Sequence, residues 1–600
     1  MRPLLVLVWA AAWCAACGVA QERDPGAREL TVEVFSARRV ASLAAAPLGK
    51  NESIRACSSC RAKRIGAPFT AKIIGDEVVL SSGLRSREIE LDGSFRLKPD
   101  GGAEETGVAG VWRLQVAHGE LRVLLTMDSE RYVALALNGE AGPNEPLESL
   151  KAMAVVVRTY ALENADRHRS EGFDLCDSTH CQALKFGKPS PAAEQAVLET
   201  TGETLWFGAR RATVFYTQNC GGQSEDASQA WPGVGAPYLM SHRDPWCTRH
   251  GAAEWHAEIP VDKMRAVFRS EGWTLPERID GVRVAKRTAA GRVLQLEFAA
   301  DGVRVPVAAG SFRLAVGRAL GWNQLRSDWY TVNLSNGMLR FDGRGYGHGV
   351  GLCQAGAAEM AAEKHSSAEI LDFYFPGTRV GVTSQDHGWV STRGSGWTLW
   401  TTGAYAELLR DGNVAWEKGK ALYPPREPVQ PEVWAMPTTE LFRQTTSEPG
   451  WMLAVAQGAR IFLQPETILK GSGKEEGTLL HEFLHVLVES EASPQAPLWL
   501  REGIVEALAE GGRGPSGDGV RMRVDDLEAA LAHPANQAES QRVHAEAGRR
   551  AQALIARYGL EQVRQWLRAR SVPDSAITTL GPARAQAPSA GPASDSSRPR

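Results

Sequence analysis

Between residues 29 and 135 apolar and polar residues alternate in short runs, Thr31-Val32-Glu33-Val34-Phe35, Val78-Val79-Leu80 and Val111-Trp112-Arg113-Leu114-Gln115-Val116, broken by Gly and Asp. A period of two sends successive side chains to opposite faces of a strand, so this stretch predicts a β-rich region. The run Tyr132-Val133-Ala134-Leu135-Ala136-Leu137 reads as one more strand, with Glu140 where it emerges into the loop AGPNEP. At 147 the period changes. Leu147, Leu150, Met153, Ala154, Val157 and Ala161 recur at helical spacing behind Pro146, which suits a first turn, and predict a buried helix. Mixed strands and helices continue to 378, and the Gly, Ser and Thr residues around TSQDHGWVSTRGSG mark a linker at 381–396. A separate unit follows over 397–570, and the Ala-, Pro- and Ser-rich tail 571–600 cannot bury enough surface to fold. The expectation is an α+β multidomain chain: a leader at 1–20, a β-rich part at 29–135, a mixed α/β core at 136–380, the linker, and a small α+β domain.

Composition narrows the function classes. Six hundred residues, 43% of them hydrophobic, exceed a single core. A net charge of −3 from 67 basic and 70 acidic residues supplies no field for a polyanion, so nucleic acid is not an expected partner. Arg2, the apolar run Leu4 to Trp13 and the small residues ending Gly18-Val19-Ala20 form an export signal, which places the mature protein outside the cytoplasm. No later segment reaches about 18 consecutive apolar residues, so no membrane-spanning helix is expected. Cys14-Ala15-Ala16-Cys17 resembles a lipoprotein box, and membrane attachment is expected only if Cys17 is lipidated. Beyond the leader lie Cys57, Cys60, Cys176, Cys181, Cys220, Cys247 and Cys353. In an oxidising compartment the expected pairings are Cys57 with Cys60 and Cys220 with Cys247, leaving Cys176, Cys181 and Cys353 for a metal, a third bond or free thiols.

Three segments carry chemistry a packed core does not need. Cys176-Asp177-Ser178-Thr179-His180-Cys181 offers thiolate and imidazole ligands to a zinc ion, or a Cys176–Cys181 disulfide. In GRGYGHGV, 343–350, alternate glycines let backbone approach a ligand while Arg344, Tyr346 and His348 supply a cation, a stacking face and a proton-handling ring. In HEFLH, 481–485, His481 and His485 stand one turn apart on one helical face, with Glu482 beside them. Glu502 lies on the next helical pattern, WLREG, and Glu506 one turn further could support a histidine.

LESLKAMAVVVRTYAL, FDLCDSTHCQ, NCGGQSED and FDGRGYGHGVGLCQAGA together resemble the SpoIID/LytB family over roughly 105–380. The resemblance implies action on bacterial cell-wall peptidoglycan, the sporulation protein of that family being a lytic transglycosylase that cuts glycan strands lacking stem peptides. Its catalytic glutamate precedes the LKAQAV motif in a Glu-Met-Pro segment, which maps to Glu140; here the segment reads Glu140-Ala141-Gly142, keeping the carboxylate and losing its bulky and rigid neighbours. Cys176 and His180 match a pair that binds zinc in some members. One carboxylate suffices in such a reaction because the attacking group is the C6 hydroxyl of the substrate's own muramyl residue. Arg344, Tyr346 and His348 are the candidate sugar contacts.

HEFLH with WLREG resembles the gluzincin metallopeptidases of the peptidase MA clan. This implies Zn²⁺ held by His481, His485 and Glu502, with Glu482 activating a water. The strand Ala459–Leu463 is the expected edge for an extended peptide, and Tyr558 and His544 are candidates for a transition-state donor. Expected partners are peptidoglycan glycan strands, a peptide or protein substrate, and an amidase. The alternative is a non-catalytic peptidoglycan-binding or amidase-enhancing protein with a processing or degenerate peptidase domain.

Overall fold

A computed structural model describes residues 29–578, apart from 58, 101, 103–104, 143, 252, 274–278, 301, 404, 510–521, 533, 535 and 570–571. The expected leader at 1–20, Cys17 included, and residues 579–600 of the expected tail lie outside the described residues.

The alternating N-terminal segments form an eleven-stranded, mostly antiparallel sheet. Glu29–Val34 lies between Leu175–Cys176 and Glu120–Asp128, and Glu105–Ala117, Glu88–Pro99, Ser42–Pro47 and Phe69–Ile74 follow in order. The period of two is visible in burial, with Leu30, Val32 and Val34 at most 3% exposed and Val32 opposite Leu125. Leu175–Cys176 joins the same sheet in parallel, with Cys176 opposite Glu33.

The segment after this sheet differs from expectation. Tyr132–Leu137 is not a strand but the middle of a helix, Ser129–Glu140, and Glu140 is its last residue. A short continuous apolar run cannot distinguish a buried strand from a buried helix. The deciding signal is Asp128, whose carboxylate accepts a hydrogen bond of 2.8 Å from Arg131 N and caps the helix. The neighbouring helix Leu147–Glu163 forms as its spacing predicts, though almost every residue from Ala152 to Leu162 is buried. Even Arg158 is enclosed. Its guanidinium donates to both Glu130 carboxylate oxygens at 2.8 and 2.6 Å and to the Glu203 carbonyl at 3.0 Å.

Two three-stranded sheets and two helices, Val261–Ser270 and Ala309–Leu320, fill the chain between Glu254 and Arg344. Phe268, Phe298, Phe312 and Phe341 give this inserted unit its own core. Its first and last strands, Glu254–Pro260 and Met338–Arg344, pair antiparallel, so the chain leaves the core and returns beside itself.

The C-terminal sheet runs Val390–Arg393, Thr398–Thr401, Glu432–Ala435, Arg460–Leu463, Ala454–Gln457. Two expectations are corrected by it. The 459–463 segment is an inner strand, and the edge on that side is Ala454–Gln457, which runs antiparallel to it. The stretch 381–396 is not an open linker. Val390–Arg393 belongs to the sheet, Val382 is buried with Trp434 and Phe442, and Trp389 donates from its backbone to Glu203 (2.6 Å) and from its indole to the Thr201 carbonyl (2.8 Å). The folded unit also passes 570, with a short helix at Asp574–Thr578 and with Val572 and Ala576 buried in the core. Among the described residues no helix is long and apolar enough to cross a membrane.

Glu130→Ala would leave a buried guanidinium without its counter-ion, and a loss of about 3–5 kcal/mol is expected, read from the urea midpoint. Glu120→Ala, which breaks the exposed pair with Arg39, serves as the control and should leave that midpoint unmoved.

Candidate active site and metal-ligand clusters

Glu140 ends its helix because Ala141 turns to extended backbone. Its Oε1 accepts 3.2 Å hydrogen bonds from the Ala183 backbone N–H and the Tyr216 hydroxyl. Gln354 Nε2 donates to its main-chain carbonyl at 3.3 Å. Behind Tyr216 a relay of buried side chains continues, with Gln182 Nε2 donating to the Tyr216 hydroxyl at 3.4 Å and Tyr132 donating to Gln182 Oε1 at 2.9 Å. Burial raises the Glu140 pKa above the ordinary carboxyl value, and the Ala183 and Tyr216 hydrogen bonds only partly oppose it.

The loop that supplies Ala183 is tied down just upstream. His168, Cys176, His180 and Cys181 bring their ligand atoms within 4.8 Å of one another. Cys176 Sγ lies 3.7 Å from His180 Nδ1, and Cys181 Sγ lies 3.5 Å from His168 Nε2. Cys176 and Cys181 are free thiols, so the alternative of a disulfide between them is not formed. The thiol of Cys176 ionises far below the usual range, first because Cys181 hydrogen-bonds to it. Two thiols and two imidazoles match a tetrahedral zinc set. Sequence reasoning named Cys176 and His180 and missed His168, which arrives from the turn after the long helix and stacks on Phe173 at 4.6 Å between ring centroids. A histidine a few residues before a Cys-rich loop was the available signal.

The glycine-rich loop meets this core through a two-residue parallel ladder, Tyr216–Thr217 with Leu352–Cys353. Gly351 has φ 72°, and a Cβ there would run into the Phe215 carbonyl, so the approach needs glycine. His348 sits edge-on to Trp231, 4.9 Å between centroids, and its Nδ1 accepts from Val350 N at 3.0 Å. Burial, then Arg313 and Arg292, lower its pKa to about 3, so the ring is neutral. Tyr346 pairs its backbone with Asn219. Arg344 lies apart from Glu140, its guanidinium 3.5 Å from the Trp329 ring centroid, in a hollow of the inserted unit shared with Glu254, His256 and Tyr330.

In the C-terminal unit HEFLH lies on the helix Glu475–Glu489 and Glu502 on Leu498–Ala509. The Nε2 atoms of His481 and His485 are 3.1 Å apart, and Glu502 Oε2 is 3.4 Å from His485 Nε2 and 3.4 Å from His544 Nε2. Burial, aided by His485, lowers the His481 pKa to about 3, leaving a free imidazole lone pair. Burial raises Glu482 to about 7, and the Ala456 backbone on the edge strand hydrogen-bonds its carboxyl. Burial would raise Glu502 too, but His485 and His544 hold it down to about 2. Conversely Glu502 overcomes the burial of His544 and raises it to about 9. Two imidazoles and a carboxylate are donors of the kind zinc takes. Of the two candidate donors, His544 is at this site, whereas Tyr558 packs its ring on Trp566.

Residues 117–207, which carry Glu140 and the Cys/His cluster, match the family model SpoIID, described as stage II sporulation protein. The chain is 26% identical over 260 residues to an uncharacterized protein of Brachyspira hyodysenteriae, covering 43% of this chain and 68% of that one. It is 25% identical over 286 residues to the amidase enhancer of Bacillus subtilis, covering 40% of this chain and 39% of the enhancer. Against stage II sporulation protein D of Bacillus subtilis it is 24% identical over 280 residues, 42% of this chain and 74% of that one. Among solved structures, the M1 zinc metallopeptidase from Deinococcus radiodurans is 15% identical over 42% of this chain and 55% of its own, with a TM-score of 0.19, a likeness that carries no argument.

If His168 completes the ligand set, zinc content of the full-length protein falls by one equivalent in His168→Ala as in Cys176→Ser. Elemental analysis giving wild-type zinc for His168→Ala would reduce the cluster to three ligands.

Proposed function

We propose that the protein cuts peptidoglycan glycan strands at Glu140 and that its C-terminal unit is a zinc-dependent peptidase, both exported to the bacterial envelope. The observation that carries the first half is one half-buried carboxyl with a raised pKa, held at Oε1 by Ala183 and Tyr216. Protonated Glu140 donates to the glycosidic oxygen. As a carboxylate it then takes the proton of the muramyl C6 hydroxyl while the 1,6-anhydro ring closes. The Tyr216 hydroxyl, pointed at Oε1, stabilises the anion between the two transfers. Trp231 and the neutral His348, 4.9 Å apart between ring centroids, offer rings to a sugar, and His168, Cys176, His180 and Cys181 would hold a zinc ion that fixes the Ala183 loop. Arg344, in its own hollow, serves a more distant part of the glycan.

In the C-terminal unit His481, His485 and Glu502 would hold zinc. Zinc bound there supplies a Lewis acid that polarises a carbonyl and acidifies water. Glu482, near pH 7 in its titration, accepts a proton and returns it to the leaving amine. The Ala454–Gln457 edge aligns an extended peptide, and His544 brings a positive charge beside Glu502.

A second reading is favoured by Ala141-Gly142 and by the likeness to an amidase enhancer: the SpoIID-like region grips glycan and stimulates an amidase without cutting. Attachment to a membrane belongs to either reading only through Cys17.

Glu140→Gln keeps an acceptor for both hydrogen bonds and removes the proton. Its yield of 1,6-anhydro-muramyl ends from peptide-free glycan should fall by about 10²–10⁴; an unchanged yield removes Glu140 as the acid, and none from wild type favours the binding reading. The same substitution tests the electrostatics. A raised carboxyl pKa favours the protonated folded state, so its stability contribution is full at low pH and lost as pH rises through the folded pKa. Relative to wild type, Glu140→Gln should therefore gain thermal stability at pH 8 and be matched at pH 4.

His481→Ala should remove one zinc equivalent and hydrolysis of a casein substrate while leaving glycan products intact. Persistence of both would make HEFLH an ordinary core helix.

A further inference from the structure

Cys220 and Cys247, expected to pair, are instead free thiols with Sγ atoms 3.3 Å apart, and Cys353 lies against them, its Sγ accepting from Cys220 N at 3.2 Å. Asp244 completes the group, with Oδ2 3.2 Å from Cys220 Sγ. The four ligand atoms all lie within 4.8 Å of one another, and no residue of the four is more than 6% exposed. We propose that Cys220, Asp244, Cys247 and Cys353 form a closed site for a single thiophilic divalent cation of the zinc class, which staples together the two ends of the inserted unit.

Three features of the surroundings suit a metal better than a packed cluster of thiols. The first is spacing. A tetrahedral ion with bonds of about 2.3 Å to sulfur sets neighbouring donors roughly 3.8 Å apart, between the closest contacts here of 3.2 and 3.3 Å and the 4.8 Å that bounds the set, whereas a disulfide would bring one pair to about 2 Å and leave the third thiol idle. The second is the turn Cys220-Gly221-Gly222, both glycines at positive φ, which aims the Gly222 N–H at Cys247 Sγ at 3.0 Å. Backbone N–H groups directed at two sulfurs stabilise thiolates, the form that binds metal. The third is orientation and charge around the set. Asp244 is fixed by the Tyr374 hydroxyl at 2.9 Å on Oδ2 and by Trp246 and Cys247 N–H groups on Oδ1. Such outer hydrogen bonds hold a carboxylate in position to coordinate. Buried Arg292 donates to the Cys220 carbonyl at 2.6 Å and to the Gln223 carbonyl at 3.1 Å, adding a permanent positive charge beside the three sulfurs and the carboxylate.

Full burial with four protein donors leaves no position for substrate, so the role is structural. Its placement has a purpose. Cys220 and Cys247 precede the inserted unit, Cys353 follows it, and Cys353 is adjacent to Gln354, whose side chain bonds the Glu140 carbonyl.

The test uses the full-length protein, expressed with zinc and kept from air. Native mass spectrometry of a background variant, Cys176→Ser with His481→Ala, should still count one zinc per chain, and adding Cys353→Ser should remove it. Should the added substitution prevent folding, the background variant decides alone: Cys220, Cys247 and Cys353 should resist alkylation as the zinc form and become reactive once a chelator strips the ion. A zinc-free background variant, zinc retained in folded Cys353→Ser, a recovered Cys220–Cys247 disulfide peptide, or alkylation indifferent to chelator would each overturn the proposal.

Discussion

Two residues of parallel ladder hold the candidate glycan site together. Tyr216 and Thr217 pair with Leu352 and Cys353 across the excursion of the inserted unit, and three groups of the site attach to one side or the other of that pairing. Tyr216 reaches Glu140, His348 precedes the second strand, and Gln354 follows it. So short a ladder has little intrinsic stability. Its persistence depends on buried surroundings, on glycines that permit close approach, and on side chains that clamp the flanking turns.

Burial without a counter-ion is the shared electrostatic device of both halves. Glu140 and Glu482 sit where desolvation raises their pKa, while Glu130 is paired with Arg158 and Glu502 lies beside imidazoles that hold its pKa down. The acids that could move protons are thus separated from those that only hold position. The same burial keeps His348 and His481 neutral, one as a ring face and the other as a lone-pair donor.

Much of this was legible in the chain. The alternation expected over 29–135 holds as far as 128 and, with the helical spacing from 147, gave the layers that carry Glu140 and the Cys/His loop, and the i, i+4 histidines share one helix. The helix at 129–140 was misread because an all-apolar run has no period, and the cap that settles it is a single Asp. The members of the Asp244 cluster were beyond reach for a different reason. Their partners are brought in by long-range ladders and turns, and no local pattern announces that Cys220, Cys247 and Cys353 share a point in space. The supposed linker failed on composition, since Gly and Ser also serve tight turns around a half-buried Trp389.

That tryptophan bears on how the polypeptide can be divided. Trp389 lies 5.1 Å from Trp434, which stacks on Trp400 at 4.6 Å, and Leu198 from the SpoIID-like side packs against the same group. A fragment begun at 397 would forfeit an edge strand and lay an aromatic seam open to water, inviting self-association. The two modules are therefore welded rather than tethered, and a cut that leaves each half soluble has to fall elsewhere than the glycine-rich stretch that looks most severable.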